Sequence, residues 1–175
     1  MSTDQEEGLF WRIIEEGITI EGIQLILDVL KIEHNLVFFK VFCEKLKTLI
    51  LSKIAEVFLV TLNRKPEDTA YISNDGFLDF RAWIVQQGRE TYQLFLDFKS
   101  EKELLHLNLD PNIAWSEDLL YVVNISLHKK DSTSYGELDF IITGLHDLKE
   151  HSLLYETVEF KKLEQKYPLL YSKYA

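Results

Sequence analysis

The 175-residue sequence predicts an all-α fold, a single-domain bundle of about six to eight helices spanning residues 1–175. Three observations predict it. Glycine and proline are scarce, at 7 and 3 residues, fewer than a sandwich or barrel of many hairpins needs. No Asn-Gly or Gly-Gly pair marks a two-residue hairpin. Long Gly- and Pro-free stretches place their apolar residues at helical spacing instead.

The elements follow in order. A first helix is expected over residues 5–16, with Phe10, Ile13 and Ile14 as its apolar stripe and Gly17 as its stop. A second is expected over 21–31, where Ile23, Ile26, Leu27 and Leu30 recur at helical spacing. Residues 33–64 contain neither Gly nor Pro and read as one long helix, or two joined near Ser52. Residues 63–72, with Pro66, Glu67 and Asp68, read as an exposed loop. Ser73, Asn74 and Asp75 are N-cap candidates for an aromatic helix over 76–98, on which Phe77, Ile84, Gly88 and Phe95 fall on one line at 100° per residue. Ser100 and Glu103 spell a capping box opening a short helix through Leu107. Asp110-Pro111 suggests a turn, and Ser116 a cap for a helix through Lys130. Residues 135–143 are β-rich but short, and 145–155 are a candidate helix. Thr157 is a candidate cap for a final helix with Phe160 and Leu163 inward, which Pro168 ends or kinks.

Composition bounds the function. Lys plus Arg is 19 and Asp plus Glu is 29, so the net charge is 19 − 29 = −10. That argues against a nucleic-acid surface, which needs a basic stripe. The most apolar segment, 54–62, is interrupted by Glu56 and falls short of the roughly 20 residues of a membrane span. The start of the chain is acidic and polar, unlike a signal peptide, and a single cysteine forms no internal disulfide. A cytoplasmic location is expected. Cys43 lies in an apolar run and reads as a small buried hydrophobe rather than a nucleophile.

Arg81 lies about 40° from the Phe77 line. An arginine so close to a core face must find a carboxylate or carbonyl, because an unpaired buried charge is very costly. It either joins an internal network that fixes helix packing or floors a cleft for an anionic ligand, with Gln87 alongside. Gly88 in mid-helix suggests close approach of another helix. Arg89 points some 80° from Arg81, so the two should not form one clamp. Asp75 and Asp79 read as a capping and a solvated residue rather than a catalytic pair. Trp83 reads as packed under a neighbouring helix or as an exposed anchor for a partner. His146, Asp147, Glu150 and His151 make the nearest approach to a metal cluster, off a common helical face. No phosphate loop, nucleophile elbow or zinc spacing occurs, so no catalytic residue, metal or cofactor is assigned.

The stretch Asn74-Asp75-Gly76-Phe77, followed by Phe80-Arg81-Ala82-Trp83-Ile84-Val85-Gln86-Gln87-Gly88-Arg89, resembles the signature of the bacterial domain-of-unknown-function family 4240. Phe10-Trp11-Arg12-Ile13-Ile14, Leu119-Leu120-Tyr121-Val122-Val123 and Tyr167-Pro168-Leu169-Leu170-Tyr171 resemble further pieces of it. Asn74 stands where the family often has Asp, and the longer loop 63–72 replaces its Gly-Gly turn. The resemblance implies a mostly helical domain with no established reaction or cofactor. It carries over the motif positions Asp75, Phe77, Phe80, Arg81, Trp83, Gln87, Gly88 and Arg89 without roles.

The reading is therefore a small acidic protein that binds another protein without chemistry, its charge favouring a basic partner; an immunity-type protein neutralising a cationic toxin is one concrete version. The alternative is a small-molecule or anion-binding, or enzymatic, domain with a cleft around Arg81 and Gln87. No nucleic acid or membrane partner is expected, and the oligomeric state stays open, self-association through exposed aromatics included.

Overall fold

The computed structural model describes residues 2–62, 65, 67, 69–70, 74–110, 118–129 and 158–174. The fold is all-α, as the spacing predicts. Helices α1 (Thr3–Gly17), α2 (Ile20–Val29), α3 (Ile32–Thr48) and α4 (Ser52–Val60) come first, so the long Gly- and Pro-free run divides at the expected place. Then follow α5 (Asn74–Gln86), α6 (Arg89–Asp97), a 3-10 turn (Glu101–Leu104), α7 (Asp118–His128), α8 (Phe160–Lys166) and α9 (Pro168–Tyr174). The candidate elements over 135–143 and 145–155, and the candidate caps Ser73, Ser116 and Thr157, lie outside the described residues.

Nine α-helices among the described residues exceed the expected six to eight because two segments break. The helix predicted over 76–98 is two helices. Gly88 adopts φ 93° and ψ 175° between α5 and α6, a conformation essentially restricted to glycine. The reason for this glycine is that backbone geometry and not a packed neighbour, since an added Cβ would meet only Glu15 Cγ at 3.9 Å. The second break is at Tyr167. Pro168 then starts α9 at its first position, where a missing N–H is harmless. The expected helix from Ser100 to Leu107 tightens to the 3-10 turn, with the Ser100–Glu103 capping box formed. The expected loop 63–72 contains a two-residue strand, β1 (Thr69–Ala70), antiparallel to β2 (Val158–Glu159) with Thr69 opposite Glu159. Asn74 and Asp75 lie inside the first turn of α5 rather than before it.

One hydrophobic cluster draws residues from α1 through α9. Its aromatic chain runs through the helices the sequence singled out. Phe58 contacts Phe77 and Phe80 at centroid distances of 5.7 and 5.6 Å. Phe80 meets Trp83 and, edge-on, Phe95, both at 5.9 Å. Phe95 reaches the core although its helix has turned at Gly88, so the break folds α6 back beside α5. Trp83 is packed, at 4% exposure. Cys43 is buried, and loss of hydration pushes its thiol pKa up to about 12. Among the described residues no helix is long and apolar enough to cross a membrane.

Candidate functional site

Arg81 projects from α5 and is fully buried. Its Nε donates to the Phe77 carbonyl one turn earlier at 3.2 Å, and an Nη donates to the Leu46 carbonyl at 3.0 Å. The guanidinium carbon lies 4.8 Å from the centre of the Phe77 ring. Leu46 is in the last turn of α3, where four carbonyls lose their intrahelical partners. Leu49 and Ile50 N–H groups take two of these, those of Lys45 and Lys47, and Arg81 takes that of Leu46. The cation therefore sits at the negative end of the α3 dipole. Burial pushes its pKa down to about 10, so it remains charged at neutral pH. Of the two readings of this arginine, the geometry is that of the internal network.

The other signature residues separate into two groups. Phe77, Phe80 and Trp83 lie with Arg81 in the core. Gln87 and Arg89 are exposed at the α5–α6 corner, on either side of buried Gly88. The side chain of Asp75 lies outside the described residues, as do His146, Asp147, Glu150 and His151; Asp79 is half-buried. Arg81 is thus buried in the core while Gln87 is exposed at the corner. Among the described residues no group of three potential metal ligands gathers.

A groove of ≈ 320 Å³ does open at the corner, lined by Ile14, Glu15, Ile18, Gln86, Gln87 and Gly88. Gln86 Oε1 is shielded from solvent and has no hydrogen-bond donor among the described residues. The opposite wall is the end of α1. Ile18 has φ 58° and ψ −47°, and the Thr19 N–H donates to the Gly17 carbonyl across it, closing a γ-turn. Positive φ in a β-branched residue costs about 1–3 kcal/mol and persists only when the surroundings impose it. Here the α1–α2 corner imposes it. A Cβ on Gly17 would collide with Ile23, and one on Gly22 with the Gly17 carbonyl oxygen. Thr19 then caps α2, its Oγ1 accepting the Gly22 N–H at 3.1 Å.

The corner turns Ile18 outward, 83% exposed. On α2, Leu25 at 67% and Val29 at 84% are exposed four residues apart, on one face. The charged residues near it in sequence are mostly acidic, with Lys31 also exposed. Glu15, Glu16, Glu21 and Glu33 are exposed, and Asp28 binds Lys129 at 3.1 Å. Sequence reasoning missed Glu15, Ile18, Leu25, Gln86 and Val29. A signal existed, because α2 carries aliphatic residues on both faces, more than one buried stripe uses.

On the side of α1 facing α3 and α6, Glu7 Oε1 accepts from Lys45 Nζ at 2.7 Å and from Trp11 Nε1 at 3.2 Å. Lys45 lies 5.6 Å from the Trp11 ring and 5.2 Å from the Tyr92 ring. The hydrogen bond from Lys45 outweighs desolvation and, with that from Trp11, holds the Glu7 pKa below its ordinary value. All three polar partners are satisfied, which marks a brace rather than a reactive centre.

Residues 6–125 match the sequence model of a family described as protein of unknown function DUF4240. The Phe10–Ile14, Asn74–Arg89 and Leu119–Val123 resemblances fall inside that span, and the one over Tyr167–Tyr171 falls outside it. No curated protein and no solved structure matches the chain.

Proposed function

The chain belongs to the DUF4240 family, proteins of unknown function, and on that premise we propose that it is a non-enzymatic module binding another protein through the outer face of α2. The observation that carries this reading is the exposure of Leu25 and Val29 on one face of α2, with Ile18 exposed just before it and mostly acidic residues nearby in sequence. Single exposed aliphatics are ordinary, but Leu25 and Val29 share one face of α2 and Ile18 is turned outward just before it, and exposed apolar surface of this kind supports an interaction site. The acidic residues and the net charge of −10 select a partner with apolar anchors and basic flanks, and they discourage nucleic acid. An anion cleft around Arg81 and Gln87 has the weaker support, because two carbonyls already hold the buried guanidinium.

The test compares three baits: the wild-type chain, a Leu25→Asp/Val29→Asp variant, and a control, Glu164→Gln, on α8. A protein captured by the wild type and the control, then purified, should bind the double variant at least about tenfold more weakly. Its association should slow between about 50 mM and about 500 mM salt as the acidic residues are screened. Equal retention by all three baits, or a salt-independent association rate, overturns the reading.

A further inference from the structure

We infer that the docking surface continues from α2 onto α7, and that its occupant is an amphipathic helix of the partner, lying along the α2–α7 seam with its basic end over Glu21 and Asp118. This rests on the docking reading above and names the segment that docks. Three observations carry it.

First, the contacts across the seam fix which way each helix faces. Gln24 Nε2 donates to Ser126 Oγ at 2.6 Å, and Lys129 Nζ meets Asp28 Oδ2 at 3.1 Å. Moving forward along α2 therefore means moving forward along α7, so the two helices run the same way. At about 100° per residue, Leu25 and Val29 are turned about 100° and about 140° to one hand of Gln24. Ile125 and Tyr121 precede Ser126, so they are turned about 100° and about 140° to the opposite hand of it. Gln24 and Ser126 face each other, so opposite turns bring all four side chains to the same side of the seam. Burial agrees. Tyr121 and Ile125 are 57% and 45% exposed, as Leu25 and Val29 are exposed, whereas Ile23 and Leu27 of α2 and Leu119 and Val122 of α7 are buried.

Second, the polar groups of the seam bind one another. Gln24 Nε2 also donates to Asp28 Oδ1 at 2.7 Å, so Ser126, Gln24, Asp28 and Lys129 form one ladder. A helix laid over it meets charges that are already paired, and it is the unpaired charge that makes burial costly. Third, the charge on this side is uneven along the seam. Glu21 and Asp118 are exposed in the first turns of their helices, hence at the same end. The same arithmetic turns them about 60° and about 80° from the seam, onto the side of Leu25 and Ile125. The positive end of each helix offsets only about half of a full charge. At the other end the Asp28–Lys129 pair is neutral, and Lys31 and Glu33, exposed just beyond α2, balance in charge.

A helix suits this surface. Two helices lying side by side leave a shallow groove above their seam, and a third fills it with apolar residues at i, i+3, i+4 and i+7. Basic residues at one of its ends then match the carboxylates and fix its direction.

The test uses an 18-residue synthetic helix with leucines on one face and arginines at one end, and a twin with glutamine for every arginine. Each is titrated into the isotope-labelled full chain, reading affinity and amide signals. Leu25→Ser/Val29→Ser and Tyr121→Ser/Ile125→Ser change exposed positions without changing charge, and each should weaken the arginine peptide at least about fivefold. Glu21→Gln/Asp118→Asn should weaken that peptide about threefold to tenfold and leave the twin within about twofold, whereas Glu44→Gln/Glu164→Gln, the same charge change on α3 and α8, should leave both within about twofold. A nitroxide at the arginine end should broaden the signals of Glu21 and Asp118 more than those of Val29 and Lys129, a reading on the wild-type chain that depends on no variant folding. Weakening by the α2 pair alone overturns the seam and leaves the α2 docking face standing. Equal effects of the two charge pairs, or stronger broadening at Val29 and Lys129, overturn the placement of the basic end and the proposal with it. A wild-type dimer in light scattering that Tyr121→Ser/Ile125→Ser abolishes assigns the seam to a second copy of this chain and overturns the partner helix. No weakening by either apolar pair removes both the seam and the α2 face.

Discussion

Arg81 is the residue whose placement says most about the signature. Its two carbonyl acceptors belong to different helices, so it ties the last turn of α3 to the first half of α5. Replacing it with methionine removes the cost of burying a charge but leaves the Leu46 carbonyl without its donor. The Arg81→Met variant should fold and be less stable by about 1–3 kcal/mol, measured by urea denaturation at neutral pH. A loss near zero would mean that relief from desolvation cancels the lost bonds. Glu7 gives a second expectation. Its pKa is lowered in the folded chain from 4.5, so the folded state binds fewer protons than the unfolded state in the acid range. Its contribution is therefore present above pH 4.5 and fades as pH falls through the lower folded value. Glu7→Gln should flatten the acid limb of the stability profile. Because the side chain is 37% exposed, solvent screening keeps the difference below about 1 kcal/mol.

At the scale of elements, the corner at Gly88 decides how α6 returns to the core. Space for a methyl group exists there, but φ 93° does not suit an L-residue. Gly88→Ala should cost about 1–3 kcal/mol with little change in helix content, read by thermal denaturation and circular dichroism. This corner also shows where the sequence was opaque. Phe77, Ile84 and Phe95 are all buried, as a continuous wheel requires, yet the helix between them is interrupted. A wheel cannot tell a glycine inside a helix from a glycine that ends one. Local signals were legible: the Ser100–Glu103 box, the division near Ser52, and the inward Phe160 and Leu163 all concern residues a few positions apart. Pairings across long separations were not. The need of Arg81 for an acceptor was legible, but Leu46 lies 35 positions away and no spacing rule names it. The groove was missed for the same reason, because it joins the ends of two helices some seventy residues apart along the chain.

Across the described residues, side chains from elsewhere in the chain fasten some helix ends: cations reach the carbonyls that close α3 and α6, and a carboxylate takes the N–H groups that open α9. Glu101 illustrates the second half. Its carboxylate accepts the Leu169 N–H at 3.1 Å and the Leu170 N–H at 2.9 Å, at the start of α9. The far end of α9 returns the contact. Lys173 Nζ donates to the Leu105 and Leu107 carbonyls at 2.8 Å, and the Tyr174 hydroxyl donates to the Leu107 carbonyl at 3.0 Å. The same hydroxyl accepts the Leu109 N–H at 2.8 Å. The 3-10 turn and α9 are thus fastened to each other at both ends, and they should open as one unit. Glu101→Ala should speed amide hydrogen exchange at 104–109 and 169–174 together while α3 and α5 keep their protection. Faster exchange confined to one of the two segments would contradict the joint opening. Such a double fastening works like a buckle: prising up the tail unhooks the strap beneath it. A peptide tag appended after Tyr174 would therefore report on a stretch of chain more than sixty residues upstream.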